Sequence, residues 1–248
     1  KSRRSIEKRL INRKSYLSIF SNEKLVEFEK LNKLINKWES HIRKHPDLDV
    51  SCFFVSLDNQ VYAEIRSEDE LPSASSIKVP ILIILLSMLD KGEILWNEKL
   101  TLTEDTVGGG AGWMAYQEIG NQFPVFEVAS EMIRVSDNTA TNLIIKRLGG
   151  IKIVNQKIKE IGLKNTKINN FLPDLEGTNV TSTKDLSLAM ALVDSGYLLN
   201  VSSRDIFREI MQKSKTNTLI PSGILRGFGK ETKNTDYHLS LKGYLVLN

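Results

Sequence analysis

A serine and a lysine stand three residues apart at Ser75 and Lys78, at the head of the longest apolar stretch of the chain: Ala74-Ser75-Ser76-Ile77-Lys78-Val79-Pro80-Ile81-Leu82-Ile83. On a helix, residues i and i+3 share a face, so the Lys78 amine can reach the Ser75 hydroxyl. An ammonium drawn into apolar surroundings loses hydration, which favours its neutral form. A neutral amine beside a serine can act as its general base. The positive end of the helix and the Ser75 backbone N–H would also favour a developing oxyanion. The spacing alone decides little. Ser-x-x-Lys also occurs at Ser5/Lys8 and Ser21/Lys24, and an N-cap serine followed by a lysine that snorkels to solvent gives the same pattern.

A second feature tips that balance. Met132-Ile133-Arg134-Val135-Ser136-Asp137-Asn138-Thr139 places Ser-Asp-Asn between two helical patterns, behind an apolar run. With it the chain resembles the class A serine β-lactamases and the wider penicillin-recognising serine hydrolases, whose signatures are Ser-x-x-Lys, Ser-Asp-Asn and Lys-Thr-Gly. Further segments fit in the same order: Gly108-Gly109-Gly110-Ala111-Gly112, Asn142 to Gly149, Thr181-Ser182-Thr183-Lys184-Asp185-Leu186, and Asn217-Thr218-Leu219-Ile220-Pro221. The resemblance covers about Leu25 to Gly223. It implies an α+β, β-lactamase/transpeptidase-like fold, a helical domain plus an antiparallel sheet. It also implies roles: Ser75 as the acylated nucleophile, Lys78 as its partner in proton transfer, and Ser136 as a relay to the leaving nitrogen. Asn138 would bind the substrate's side-chain amide and help hold Lys78, and Asp137 would support the loop. For Ser136 and Asn138, a helix-capping pair is the plain alternative.

Two departures accompany the resemblance. Class A enzymes carry a deacylating glutamate on a loop after Ser-Asp-Asn. The equivalent stretch here, Asn169-Asn170-Phe171-Leu172-Pro173-Asp174-Leu175-Glu176-Gly177-Thr178-Asn179, offers only Asp174 and Glu176 as candidate bases. Without a positioned base an acyl-enzyme turns over slowly, since general-base catalysis is worth on the order of 10²–10⁴. In addition, no Lys-Thr-Gly or Lys-Ser-Gly follows Gly223; the nearest text is Lys233-Asn234-Thr235. The C-terminal strands and helix implied by the family therefore read as truncated or altered, through a shifted frame or a shortened gene product. This would leave the hairpin edge and one face of the first helix uncovered. The expected activity is cleavage of β-lactam amide bonds through an acyl-enzyme on Ser75. The alternative is an inactive or only acylating homologue that binds β-lactams or peptidoglycan peptides.

The chain has 248 residues, 41% hydrophobic and 26% charged, with one cysteine, Cys52. That excludes a chain disordered throughout and any disulfide framework. His41, His45 and His238 make no familiar metal pattern, and neither a metal nor another cofactor is expected. The longest apolar run, Val79 to Leu89, is too short to span a bilayer. The formal charge is +4, yet the first fourteen residues carry seven cations against Glu7, so the other 234 sum to −2. The basic character thus reads as a tail rather than a domain face. Such a tail is usually a solvated extension, although it can contact nucleic acid or anionic lipid. The expected partner is a small β-lactam or peptidoglycan peptide, with no nucleic acid, no integral membrane segment and a monomeric state. The resemblance implies a periplasmic or exported location; the chain shows no complete signal peptide.

The supporting elements follow from periodicity. Leu25, Phe28, Leu31, Leu34, Ile35, Trp38 and Ile42 predict an amphipathic helix from Asn22 to Lys44. Val50–Leu57 and Val61–Ile65 around Asp58-Asn59-Gln60 predict a β-hairpin. Helices are expected near 75–91, 125–135, 139–148, 151–161, 182–193 and 202–213, with mostly loop over 96–123 and 162–181. Ser182, with Asp185 three residues on, is a plausible N-cap. The organisation reads as a basic extension (1–22), a β-lactamase-like domain (23–223) and a divergent tail (224–248).

Overall fold

The structure, a computed structural model, describes residues 28–215. The basic extension, Asn217 to Pro221, and the tail after Gly223 lie outside the described residues.

The centre of the molecule is a helix that is apolar on every side. After a 3-10 turn at Ala74–Ile77, helix α2 runs Lys78–Asp90, and Ile81 to Leu86 are each at most 1% exposed. Burying each such side chain stabilises the fold by about 1.5–3 kcal/mol. Residues on all faces can be buried because α2 touches five other helices: α3 (Val125–Arg134), α4 (Asn138–Arg147), α5 (Gly150–Ile161), α6 (Thr183–Asp194) and α7 (Val201–Gln212). Polar side chains fix the joints. Ser182 caps α6 by accepting from the Asp185 N–H (3.1 Å), and Asn200 caps α7 by accepting from Ser203 (2.9 Å). Asp90, at the end of α2, accepts from the Asn200 N–H (2.8 Å), which anchors α7 to the central helix.

The hairpin forms as the sequence predicts. Strand β2 (Cys52–Ser56) pairs antiparallel with β3 (Val61–Ile65), with Cys52 opposite Ile65 and Ser56 opposite Val61. The long first helix does not form as predicted. Its apolar spacing continues through Phe28, but Glu29–Lys30 is a strand, β1, parallel to β3, and the helix that follows, α1, covers only Asn32–Ile42. The three-residue step from Phe28 to Leu31 matches a helix, yet the Glu29 N–H bonds the Gln60 carbonyl and the Leu31 N–H bonds that of Tyr62. Pairing with an available sheet edge outweighs continuing the helix. The described sheet order is β1-β3-β2, with α1 against β3 and α6 against β2. Among the described residues β2 is therefore an edge strand.

Two small ribbons complete the frame: β4 (Leu71–Pro72) with β7 (Val180–Thr181), and β5 (Lys99–Thr101) with β6 (Gln122–Pro124). Within a body that sums to −2 beyond residue 14, residues 151–170 carry five lysines against Glu160 alone, on α5 and its exit.

Candidate active site

Ser75 sits in the 3-10 turn that leads into α2, directly after Ala74, whose φ of +43° is left-handed. Lys78 opens α2 and is 1% exposed, whereas Ser75 is exposed. The segment thus presents a hydroxyl to solvent and an amine to the interior, one turn apart.

The amine does not make the direct bond to Ser75 that the spacing suggests. Its three hydrogen bonds go to the Ser136 carbonyl, the Ser136 Oγ (2.8 Å) and the Asn138 Oδ1 (3.0 Å). Ser136 Oγ in turn lies 2.8 Å from Ser75 Oγ and donates to it. The link from lysine to nucleophile therefore runs through the second serine. Ser136 can reach both partners because its own backbone is bent into the left-handed region at φ +58°, a conformation that a non-glycine residue holds only when its surroundings impose it.

Those surroundings are built around Asp137, which is fully buried. Its Oδ1 accepts from the Ala140 N–H (2.9 Å), capping α4, and its Oδ2 accepts from the N–H groups of Trp113 (2.7 Å) and Met114 (2.9 Å). The expectation that Asp137 supports the loop matches this geometry. The glycine-rich loop must be glycine where it passes the carboxylate: a Cβ on Gly112 would lie 2.1 Å from Asp137 Oδ2. Asn138 has both ends occupied, since its Nδ2 donates to the Gly109 carbonyl (2.8 Å) while Oδ1 accepts from Lys78.

Burial sets the electrostatics. Loss of hydration lowers the Lys78 pKa from 10.5 to about 8, partly countered by the negative charge of Asp137. The lysine is thus poised between its two protonation states at a mildly alkaline pH.

The candidate deacylation bases are placed differently from the serines. Asp174 is engaged inside its own loop, accepting from Thr178 Oγ1 (2.9 Å) and from the Asn179 N–H. Glu176 is exposed. The residue of this loop that is fastened to the site-bearing helix is Leu172, 7% exposed. Asn142 clamps its backbone, with Nδ2 donating to the Leu172 carbonyl (2.7 Å) and Oδ1 accepting from its N–H (2.8 Å). Sequence reasoning left Asn142 without a role. The available signal was a polar residue of poor helix propensity inside an otherwise buried helix, one turn after Asn138. Glu131 was also missed. Its carboxylate accepts from Trp113 Nε1 (2.6 Å) and from both Nε and Nη2 of Arg134 (2.6 Å each), joining the loop to the end of α3 just ahead of Ser136.

Among the described residues no group of three His, Cys, Asp or Glu side chains is placed to hold a metal ion. No helix among them is long and apolar enough to cross a membrane.

A family model described as the β-lactamase enzyme family matches residues 29–237, a range that runs past Gly223. A β-lactamase of Bacillus licheniformis is 28% identical over 189 residues, which are 73% of this chain and 61% of that protein. The chain thus spans less than two thirds of that relative's length. A D-alanyl-D-alanine carboxypeptidase of Bacillus subtilis is 28% identical over 128 residues, 50% of this chain and 33% of its own. Among solved structures, PBP-A superposes with a TM-score of 0.78 at 40% identity, over 81% of this chain and 76% of that one. A mutant of PBP-A, solved as an acyl-enzyme complex with penicillin G, gives 0.77 at 39% identity, over 79% of this chain and 74% of that one.

Proposed function

The chain belongs to the β-lactamase enzyme family, and from that premise we propose that it is a serine hydrolase that acylates Ser75 with a β-lactam or a D-Ala-type peptide and releases the acyl group slowly. The observation that carries this reading is the unbroken chain Ser75 Oγ–Ser136 Oγ–Lys78 Nζ, with two steps of 2.8 Å.

The proton path follows from counting donors. As an ammonium, Lys78 has three N–H groups for its three acceptors. As a neutral amine it keeps two, enough for the Ser136 carbonyl and Asn138 Oδ1, and turns its lone pair toward Ser136 Oγ. The Ser136 hydroxyl then rotates to donate to the amine, and its oxygen accepts from Ser75. When Ser75 Oγ attacks the amide carbonyl, its proton passes to Ser136 Oγ as the Ser136 proton moves to Lys78. Collapse of the tetrahedral intermediate breaks the C–N bond, and Ser136 hands a proton to the leaving nitrogen, replenished from Lys78. With a pKa of about 8, roughly a tenth of the molecules hold Lys78 neutral at pH 7, so base and acid forms are both accessible.

Slow release is supported by the loop of residues 169–179. Asp174 is spent on Thr178 and Asn179, Glu176 is exposed, and the residue pinned beside α4 is the apolar Leu172. The same substrate class is suggested by the relatives, one a D-alanyl-D-alanine carboxypeptidase and one an acyl-enzyme with penicillin G. An exported location belongs to this reading, since peptidoglycan peptides lie outside the cytoplasmic membrane. Incubation with a chromogenic cephalosporin, following colour and protein mass together, tests it. A single stoichiometric burst with a retained adduct is expected. Sustained turnover would overturn slow release, and neither colour nor adduct would overturn acylation itself.

A further inference from the structure

The five lysines of residues 151–170 stand out by their density, with one acid among twenty residues. Several basic side chains elsewhere on the domain are matched, Lys30 with Glu64, Arg134 with Glu131, Lys146 with Asp105, Arg147 with Glu98 and Lys184 with Glu68. Among the described residues no ion pair involves Lys152, Lys157, Lys159, Lys164 or Lys167. The single acid of the segment, Glu160, already accepts from Gln156 Nε2 (2.9 Å). The stretch carries +4, whereas residues 15–248 as a whole sum to −2, so one cationic face stands on an anionic body.

The face belongs to one element and its exit. Val154 and Ile158 turn α5 inward against α2 and α4, which leaves Lys152 and Lys159 exposed on the outer side and Lys157 half-buried. Gly162, at φ +97°, ends the helix, and Lys164 and Lys167 follow, both exposed. Ile153, 36% exposed, lies among the lysines. The next stretch of the loop reaches Leu172 and its clamp on Asn142.

We propose that α5 and its exit are a docking surface for an anionic phospholipid bilayer, which holds the domain at the membrane face. The chemistry selects this partner over nucleic acid. The segment has no arginine for bidentate phosphate contacts and no aromatic ring for base stacking. It has flexible point charges on long stems around an exposed isoleucine, a set suited to diffuse attraction toward a charged leaflet with shallow apolar contact. No membrane-crossing helix is required, and the segment is distinct in sequence from the N-terminal cations.

Vesicle co-sedimentation of the full chain tests the proposal. The probes are phosphatidylcholine vesicles with and without about 30% phosphatidylglycerol, at about 0.1 M salt, where surface attraction still reaches ~10 Å. Binding is expected only to the anionic vesicles, falling steeply with added salt. Each lysine near such a surface is worth about a fivefold change in partition. The triple variant K152Q/K159Q/K164Q should therefore bind roughly 10²-fold more weakly, and K152R/K159R/K164R should bind as the parent does. All three sites are exposed, and an unchanged circular dichroism spectrum verifies that the fold is kept. In a parallel variant with Arg3, Arg4, Lys8, Arg9 and Arg13 changed to Gln, binding should persist. Loss of binding in that tail variant with retention in the α5 variant would overturn the proposal. Equal binding to neutral vesicles, or binding to duplex DNA but not to anionic vesicles, would overturn it as well.

Discussion

Asp137→Asn removes one charge from a fully buried carboxylate at the site while keeping its size. The native side chain accepts from three backbone N–H groups, those of Ala140, Trp113 and Met114. An asparagine retains an oxygen for Ala140, since Asn caps a helix as well as Asp does. It then turns an NH₂ group toward the donors of Trp113 and Met114. Two buried donors left without an acceptor cost about 1–3 kcal/mol each, so the variant should lose about 2–6 kcal/mol. In a chain of this size that lowers Tm by at least ~4 °C. The substitution has a second effect with its own sign. The Asp137 charge raises the Lys78 pKa, while desolvation lowers it to about 8. Lys78 must be neutral to receive the proton, so acylation should rise with pH to a midpoint near 8 in the parent. Without the Asp137 charge the midpoint should move to lower pH. Labelling with a fluorescent penicillin between about pH 6 and about pH 10, alongside thermal melts, measures both quantities. A stability loss under ~1 kcal/mol, or a midpoint that stays or moves to higher pH, would refute the reasoning.

Other perturbations separate the parts of the site. Ser136→Ala should slow acylation by roughly 10²–10⁴ with Ser75 and Lys78 still present, read by labelling rates, because it removes the hydroxyl that bonds both. Gly112→Ala would place a methyl group 2.1 Å from Asp137 Oδ2 on a left-handed backbone, and should cost more than ~2 kcal/mol in denaturant unfolding. Asn142→Ala should release the loop at Leu172 by deleting two hydrogen bonds, visible as faster amide exchange over residues 169–179 at a cost of about 1–3 kcal/mol.

What the sequence makes legible, and what it hides, depends on how local the cause is. The hairpin is written in alternation and turn residues, and the central helix in a run apolar on every side. Both follow from a few neighbours. The strand Glu29–Lys30 is hidden because Phe28 and Leu31 also suit a helix, and only the edge of β3, some thirty residues on, decides between them. At the site, the order Ser75, Lys78, Ser136, Asn138 marks the right segments, and the structure gathers all four side chains. The route between them was not legible. Spacing on one helix suggests a direct bond from Lys78 to Ser75, whereas the left-handed bend at Ser136 places a second hydroxyl between them. The basic face of α5 was obscured by averaging, since a net −2 over residues 15–248 conceals a local +4.

The central claim, that Ser75 is the nucleophile fed through Ser136, is tested most directly by locating the acyl group. After brief incubation with a penicillin, digestion and peptide mass mapping should find the added mass on Ser75 alone, with none on the Ser75→Ala variant. An adduct on Ser136 or another residue, or one that survives in Ser75→Ala, would contradict it.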